Sequence, residues 1–210
     1  MSASALPLEP VTLSGRHVRL DPLAPDHAQG LFAAASESRA TYGLTLVPDS
    51  LPSMQRYIDG LLAEHARGES LPFVVREASG AVVGATRYMS IERWSWAPHA
   101  APAPVPAGPD VLEIGGTWYA ERVQRTAVNT EAKLLLCTYA FETLGVRRVM
   151  WKTDARNERS RRAILRLGAR FDGVLRAQRA GFDGVVRDSA YYSMLGSEWP
   201  EAKEGLLARL

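Results

Sequence analysis

A mixed α+β fold is what this sequence predicts, and three observations carry the prediction. Apolar residues recur at period two in some stretches and at three-to-four spacing in others, so strands and helices both occur. Their order is ββ-αα-βββ-α-β-α-ββ with a closing helix, which is neither a repeat nor a strict βα alternation. No linker divides the 210 residues, so one domain spanning 1–210 is expected.

The elements follow in order. Residues 11–13 and 17–20 flank Ser14-Gly15, a tight bend between two strands. Pro22 to Asp26 opens a helix over 26–35, with Ala28, Leu31, Phe32 and Ala35 on one face. A second helix fits 51–67, striped by Met54, Ile58, Leu61, Leu62 and His65, with Ser50 as N-cap and Gly68 as stop. Strands over 73–76 and 81–91 are joined by Ala78-Ser79-Gly80. Residues 96–110 hold five prolines and read as an extended insertion loop. A strand over 111–119 runs through a polar loop, 120–128, into a helix over 129–143 that Gly145 ends. A strand over 148–153, a short helix over 159–167 stopped by Gly168, strands over 174–179 and 185–195 around Gly181-Phe182-Asp183-Gly184, and a helix over 199–210 complete the chain.

Composition narrows the function classes. The chain is 46% hydrophobic, 23% charged and 8% aromatic, which excludes a disordered or fibrous protein. Net charge is +2, yet residues 147–170 hold nine Arg or Lys against Asp154 and Glu158. A local basic patch on a near-neutral chain suits a small anionic ligand better than nucleic acid. The lone cysteine, Cys137, permits no intrachain disulfide and suits a reducing compartment. No apolar run reaches membrane-spanning length, and residues 1–10 have no signal-peptide pattern, so a cytoplasmic protein without membrane contact is expected. No metal-binding pattern is present.

Two segments carry chemistry. The strand ending at Tyr119 leads through a polar loop into a helix at Asn129-Thr130-Glu131, which gathers unpaired N–H groups and a helix dipole where a phosphate would sit. A plain capped helix explains the same residues. Next, Asn157 begins a helix at the end of a strand, with Ser160 in its first turn. Both residues belong either to a routine cap or to a crevice at the strand's carboxyl end.

Together these residues resemble a known family. Leu13-Ser14-Gly15-Arg16-His17-Val18-Arg19-Leu20-Asp21-Pro22-Leu23 is similar to the opening of RimJ/RimL-type acetyltransferases of the GNAT superfamily. Glu113-Ile114-Gly115-Gly116-Thr117-Trp118-Tyr119 resembles their fourth strand, and Asn157-Glu158-Arg159-Ser160 with Leu167-Gly168-Ala169 resembles their N-x-x-S…G signature. Gln124 to Asn129 occupies the place of the Q/R-x-x-G-x-G/A pyrophosphate loop, with Ala127 and Asn129 where glycines are usual. Asn129 is suited to cap the helix and to tolerate a left-handed conformation. The resemblance spans about residues 8–210 and implies a GNAT fold: a central mixed, largely antiparallel sheet with splayed strands, flanked by helices.

It further implies acetyl-CoA as co-substrate and direct transfer of acetyl to a primary amine, on a peptide N-terminus or a small molecule. By resemblance, main-chain groups of Trp118 and Tyr119 hold the pantetheine arm. Gln124, Arg125, Thr126, Ala127, Val128, Asn129 and Thr130 hold the pyrophosphate, and Asn157, Arg159 and Ser160 complete the cofactor side. Arg156 and Arg162 are in reach of the phosphates. Glu113 is the expected base, with His65 and His99 as rivals by residue type only. The family's usual tyrosine acid is replaced by Ile164, so Ser160 is the expected acid, with Tyr191 and Tyr192 as alternatives. Cys137 reads as a buried structural thiol, so no acyl-enzyme is expected. Tyr42, Tyr57, Tyr191, Trp94 and Trp96 are candidates for the acceptor's walls. The family's habit of pairing suggests a homodimer, with residues 185–195 at the interface. Two rival readings are a non-catalytic acyl-CoA sensor and a ribosome- or RNA-associated protein using the 147–170 patch.

Overall fold

A computed structural model describes residues 7–97, 99 and 108–210. Residues 98 and 100–107, most of the Pro/Ala-rich loop, lie outside the described residues, as do residues 1–6. The strands are β1 (Leu13–Ser14), β2 (Val18–Pro22), β3 (Leu71–Glu77), β4 (Val82–Glu92), β5 (Val111–Tyr119), β6 (Arg148–Asp154), β7 (Arg170–Ala180) and β8 (Val186–Leu195). The helices are α1 (Ala28–Ser36), α2 (Leu51–Ala66), α3 (Ala127–Thr138), α4 (Glu158–Leu165) and α5 (Trp199–Leu207). The element order is the predicted one. All strands join one sheet in the order β1-β2-β3-β4-β5-β6-β8-β7, antiparallel except for β5 against β6.

Each face of the sheet is covered differently. α3 lies on one face, where Tyr88 Oη donates to the Leu136 carbonyl at 2.6 Å. α5 packs beside it through Trp199, whose ring stacks on Phe141 and whose Nε1 donates to Glu142 at 2.7 Å. α1 and α2 cover the other face over β2–β4, where Arg87 pairs with Glu64 of α2. Beyond β4 that second face is polar: Glu113, Lys152, Asp154, Tyr191, Ser189 and Arg187 share it through strand alternation and the β6–β8 register.

Some boundaries differ from the sequence reading. α3 begins at Ala127, with Thr126 as N-cap accepting from the Val128 N–H, so Asn129 is neither the cap nor left-handed. Thr126 wins because its hydroxyl also donates to the Val123 carbonyl at 2.7 Å, closing the preceding turn. The last turn of this helix loosens into a π segment, Tyr139–Thr143. Residues 185–195 are not an edge available for pairing with a second chain. β8 lies between β6 and β7, and β7 is the outer strand. β8 pairs with β6 on one side and β7 on the other, a placement that local periodicity does not encode.

One long-range contact ties the first hairpin to α3. Glu131, buried, accepts the N–H groups of Arg16, His17 and Val18 at 2.8, 2.5 and 2.8 Å. Gly15 is required there because a Cβ would stand 2.3 Å from the Glu131 carboxyl carbon.

A second buried charge sits nearby. Lys133 donates to the hydroxyls of Thr117 at 2.8 Å and Thr86 at 3.2 Å. Burial drives its pKa from 10.5 down to about 7. The unfolded chain keeps this proton until pH ~10, whereas the folded chain releases it near 7, so stability rises with pH across that window. Wild type is therefore expected to gain on Lys133→Met by up to about 1.4 kcal/mol per pH unit between pH 7.5 and 9.5. Denaturant titrations at both pH values check this, and a constant difference would mean that the folded protein keeps Lys133 charged.

Candidate active site

The site begins where two parallel strands part. β5 and β6 pair only over Val111–Arg148, Leu112–Val149 and Glu113–Met150. Past Glu113, β5 stays with β4 as far as Tyr119, and β6 stays with β8 as far as Asp154. The inner edges between them have no strand partner among the described residues, so a groove opens whose walls are main-chain donors and acceptors. A bulge in β5 bends the strand there: Ala85 faces Trp118 while Arg87 faces Gly115, and Gly116 takes up the extra length at φ +58°.

At the closed end of the groove stands Glu113, 2% exposed. Its Oε2 pairs with Lys152 Nζ at 2.9 Å and accepts from Ser90 Oγ at 2.8 Å. Ser90 reaches it from a left-handed backbone, φ +48°, beside an irregularity in β4. A non-glycine residue held there is a cost of the kind that clusters at functional positions. Oε1 accepts no hydrogen bond from any described residue.

At the open end stand the 120–126 loop and the first turn of α3. Arg125 is left-handed at φ +64°, which turns the chain before the helix. The N–H groups of Arg125 and Thr126 donate to no described residue, and the first turn of α3 adds the orphan donors of any helix N-terminus. Such a cluster fits a pyrophosphate. Ala127 and Val128 form the helix start, while Asn129 and Thr130 line a cleft with Leu167, Arg166 and Arg209.

Gln124 and Arg159 have internal tasks as well. Gln124 Nε2 donates to the Tyr119 carbonyl and to Thr41 Oγ1, both at 3.0 Å. Arg159 donates to the Thr41 carbonyl at 2.7 Å and to Gln124 Oε1 at 3.4 Å. Tyr42 Oη adds a bond to the same Tyr119 carbonyl at 2.9 Å, and its ring meets Trp118 edge-on. The connection between α1 and α2 is thereby fastened across the mouth of the groove, which sequence reasoning missed because Thr41 carries no motif.

α4 supplies the remaining wall. Asn157 caps it, accepting the Ser160 N–H at 3.0 Å, and Ser160 Oγ bonds to no described residue. Ile164 is buried in the core. Of the other acid candidates, Tyr192 is buried on the helix-covered face, away from Glu113, with its hydroxyl accepting from Arg161 Nε at 3.0 Å. Tyr191 stays on the Glu113 face, opposite Lys152. His65 Nδ1 is bound to the Ser70 carbonyl at 3.0 Å, and His99 is exposed. Burial pushes the Cys137 thiol up to about 12, so it is no nucleophile.

Five of the nine basic residues at 147–170 pair with acids, Lys152 with Glu113 among them. Arg156 pairs with Asp154 and Asp183, Arg161 with Glu158, Arg170 with Glu198 and Arg147 with Asp110. Arg162 on α4 and Arg166 just past its end remain exposed, and Arg166 lines the cleft beside Asn129, where sequence reasoning had given it no role. No helix among the described residues is long and apolar enough to cross a membrane.

Comparison with known proteins agrees with this geometry. The family described as Acetyltransferase (GNAT) domain matches residues 17–170, which include Glu113, the 120–126 loop and Ser160. The chain is similar to a GCN5-related N-acetyltransferase from Brucella melitensis, at 32% identity over 97% of this chain and 88% of that one, with a TM-score of 0.80. It shares its fold with RimJ of Mycobacterium smegmatis in complex with CoA-disulfide, at 22% identity, 95% and 94% coverage and a TM-score of 0.76. It is 35% identical over 88 residues to YdaF of Bacillus subtilis (strain 168), named provisionally as a ribosomal N-acetyltransferase. That match covers 42% of this chain and about half (48%) of that protein.

Proposed function

The chain belongs to the GNAT acetyltransferase family and draws its acetyl group from acetyl-CoA; from that premise we propose that it acetylates a primary amine directly, with Glu113 as base and Ser160 as hydrogen-bond donor to the leaving thiolate. The observation that carries this reading is Glu113 itself: buried where the strands part, fixed through one oxygen and free through the other.

When bound, acetyl-CoA supplies an acetyl thioester. The residues supply the rest. Glu113 Oε1 takes a proton from the entering ammonium, directly or through one water, since an ammonium has no lone pair to attack with. The new N–C bond forms as the C–S bond breaks, the nitrogen's second proton passes to the departing sulfur where Ser160 Oγ donates its hydrogen bond, and Glu113 then gives its proton to water. Main-chain groups at Trp118 and Tyr119 hold the pantetheine arm in the groove. The donors of Arg125 and Thr126 and the start of α3 through Thr130 hold the pyrophosphate, with Arg162 and Arg166 toward the 3′-phosphate. Gln124, Asn157 and Arg159 set the shape of this wall.

The acceptor is a peptide N-terminus or a small amine. The name of the YdaF relative, a ribosomal N-acetyltransferase, favours the peptide end. A homodimer would form through β7, whose outer edge has no strand partner among the described residues and which exposes Phe171, Val174 and Leu175. The ion pairs that occupy five of the nine basic residues at 147–170 weigh against an RNA partner.

Calorimetric titration with acetyl-CoA and with dephospho-CoA tests the cofactor side. Micromolar binding weakened by loss of the 3′-phosphate is expected, and no binding at millimolar cofactor would overturn the reading. Ser160→Ala is expected to lower turnover about tenfold with cofactor affinity unchanged, as steady-state rates on an accepted amine will read. An unaltered rate would pass the donor's role to Tyr191.

A further inference from the structure

Arg187 is a buried cation that the fold leaves half unused. It lies on β8, on the face that carries Glu113, and is only 7% exposed. Its Nε donates to Ser189 Oγ at 2.9 Å, while Nη1 and Nη2 donate to no described residue and stay open to solvent. The side chain therefore runs along β8 toward Tyr191, which stands opposite Lys152, the partner of Glu113.

Neither nearby acid bonds to Arg187, although the charges of Asp154 and Glu113 are felt there. Asp154 is held through both oxygens by Arg156, at 2.9 and 2.7 Å, and Glu113 Oε2 is held by Lys152 and Ser90. The surroundings are built to keep Arg187 in place. Ser189 Oγ donates to Gln178 Oε1 at 3.0 Å, and Gln178 sits in a β7 bulge where Ala177 stands at φ +48° with its N–H donating to Asp188 Oδ1 at 2.7 Å. Burial, and after it the charge of Arg179, pull the Arg187 pKa below the ordinary guanidinium range against the opposite pull of Asp154, Glu113 and Tyr191, so the position on balance disfavours its charge. An arginine is retained at such a cost when an anion completes it, and its planar fork matches a carboxylate.

We infer that Arg187 receives a carboxylate carried by the acceptor, so that the amine substrate is an amino acid or a peptide with an acidic residue next to its N-terminus. This rests on the reading of the Glu113 face as the acceptor side. The acceptor is then fixed at two points, its amine at Glu113 and its carboxylate at Arg187, as in-line transfer requires.

The test uses matched acceptors with acetyl-CoA and the full chain: the peptides Ser-Glu-Ala and Ser-Gln-Ala as C-terminal amides, and serine against serinamide, with rates corrected for the fraction of free amine. In one pair the acid is expected to exceed its neutral partner by about tenfold or more in kcat/KM, chiefly through KM. Which pair responds tells a side-chain carboxylate from a free amino acid. Arg187→Gln is expected to abolish that gap and leave the neutral acceptor's rate unchanged, while Arg187→Lys keeps part of it. Equal rates for acid and neutral acceptors in wild type, or a gap that survives Arg187→Gln, would overturn the inference. Titration of N-acetylserine and N-acetylserinamide into the CoA-loaded protein reads the same site without turnover. Tighter binding of the acid supports the inference even if no amine is acetylated, a result that would instead sink the proposed reaction. Equal binding, or none, with both peptide acceptors equivalent overturns the inference alone.

Discussion

Glu113→Gln is expected to lower turnover at least about tenfold, and about a hundredfold where removal of the amine proton limits the rate. Glutamine keeps the shape of the side chain and still accepts from Ser90, so the groove survives while the proton acceptor is lost. The substitution also leaves Lys152 without its counter-charge in a position where its side chain is 16% exposed. Melting temperature and acetyl-CoA affinity must therefore be read beside the rate. Normal affinity with reduced turnover assigns the loss to chemistry. A variant that turns over at the wild-type rate would show that Glu113 is an anchor for Lys152 and that the base lies elsewhere.

The largest expected effect on stability is that of Glu131→Ala. This one carboxylate satisfies three N–H groups of the first hairpin, and alanine would leave them buried or drive the hairpin off α3. Each orphaned buried donor costs about 1–3 kcal/mol, so a total of about 3 kcal/mol or more is expected. For a chain of this length that corresponds to a fall of about 6–12 °C in melting temperature, which calorimetry will measure. Gly15→Ala attacks the same contact from the other side, because its Cβ would collide with the Glu131 carboxylate. The two substitutions combined should cost less than their sum, since either alone undoes the joint. Full additivity would mean that the hairpin is held by its apolar contacts instead.

Much of the site was legible because it depends on neighbours in sequence. The strand 111–119, the polar loop and the Asn157–Ser160 turn each carry a local signature, and the structure places them around one groove. Where local rules competed, the choice failed. Both Thr126 and Asn129 are good caps, and only the bond from Thr126 to Val123 decides between them. The arginines at 147–170 looked like a free cationic patch because the acids that pair with several of them, Asp110, Asp183 and Glu198 among these, are far away along the chain. Glu131 and Lys133 sat unnoticed in a helical run, since nothing in period or composition tells a buried charge from a solvated one.

The sequence by itself determined the kind and order of the elements, their principal stops at Gly68, Gly145 and Gly168, and the residues available for chemistry. These follow from side-chain spacing and backbone preference over a few residues. Only the tertiary structure decided which of them meet. The parting of β5 from β6 after Glu113, the placing of β8 inside the sheet, the joint of Glu131 to residues 16–18 and the isolation of Arg187 all join segments distant in the chain. Strand register and buried polar pairing are settled by cross-chain contact. A carboxylate 115 residues from the N–H it accepts leaves no mark on the sequence around either one.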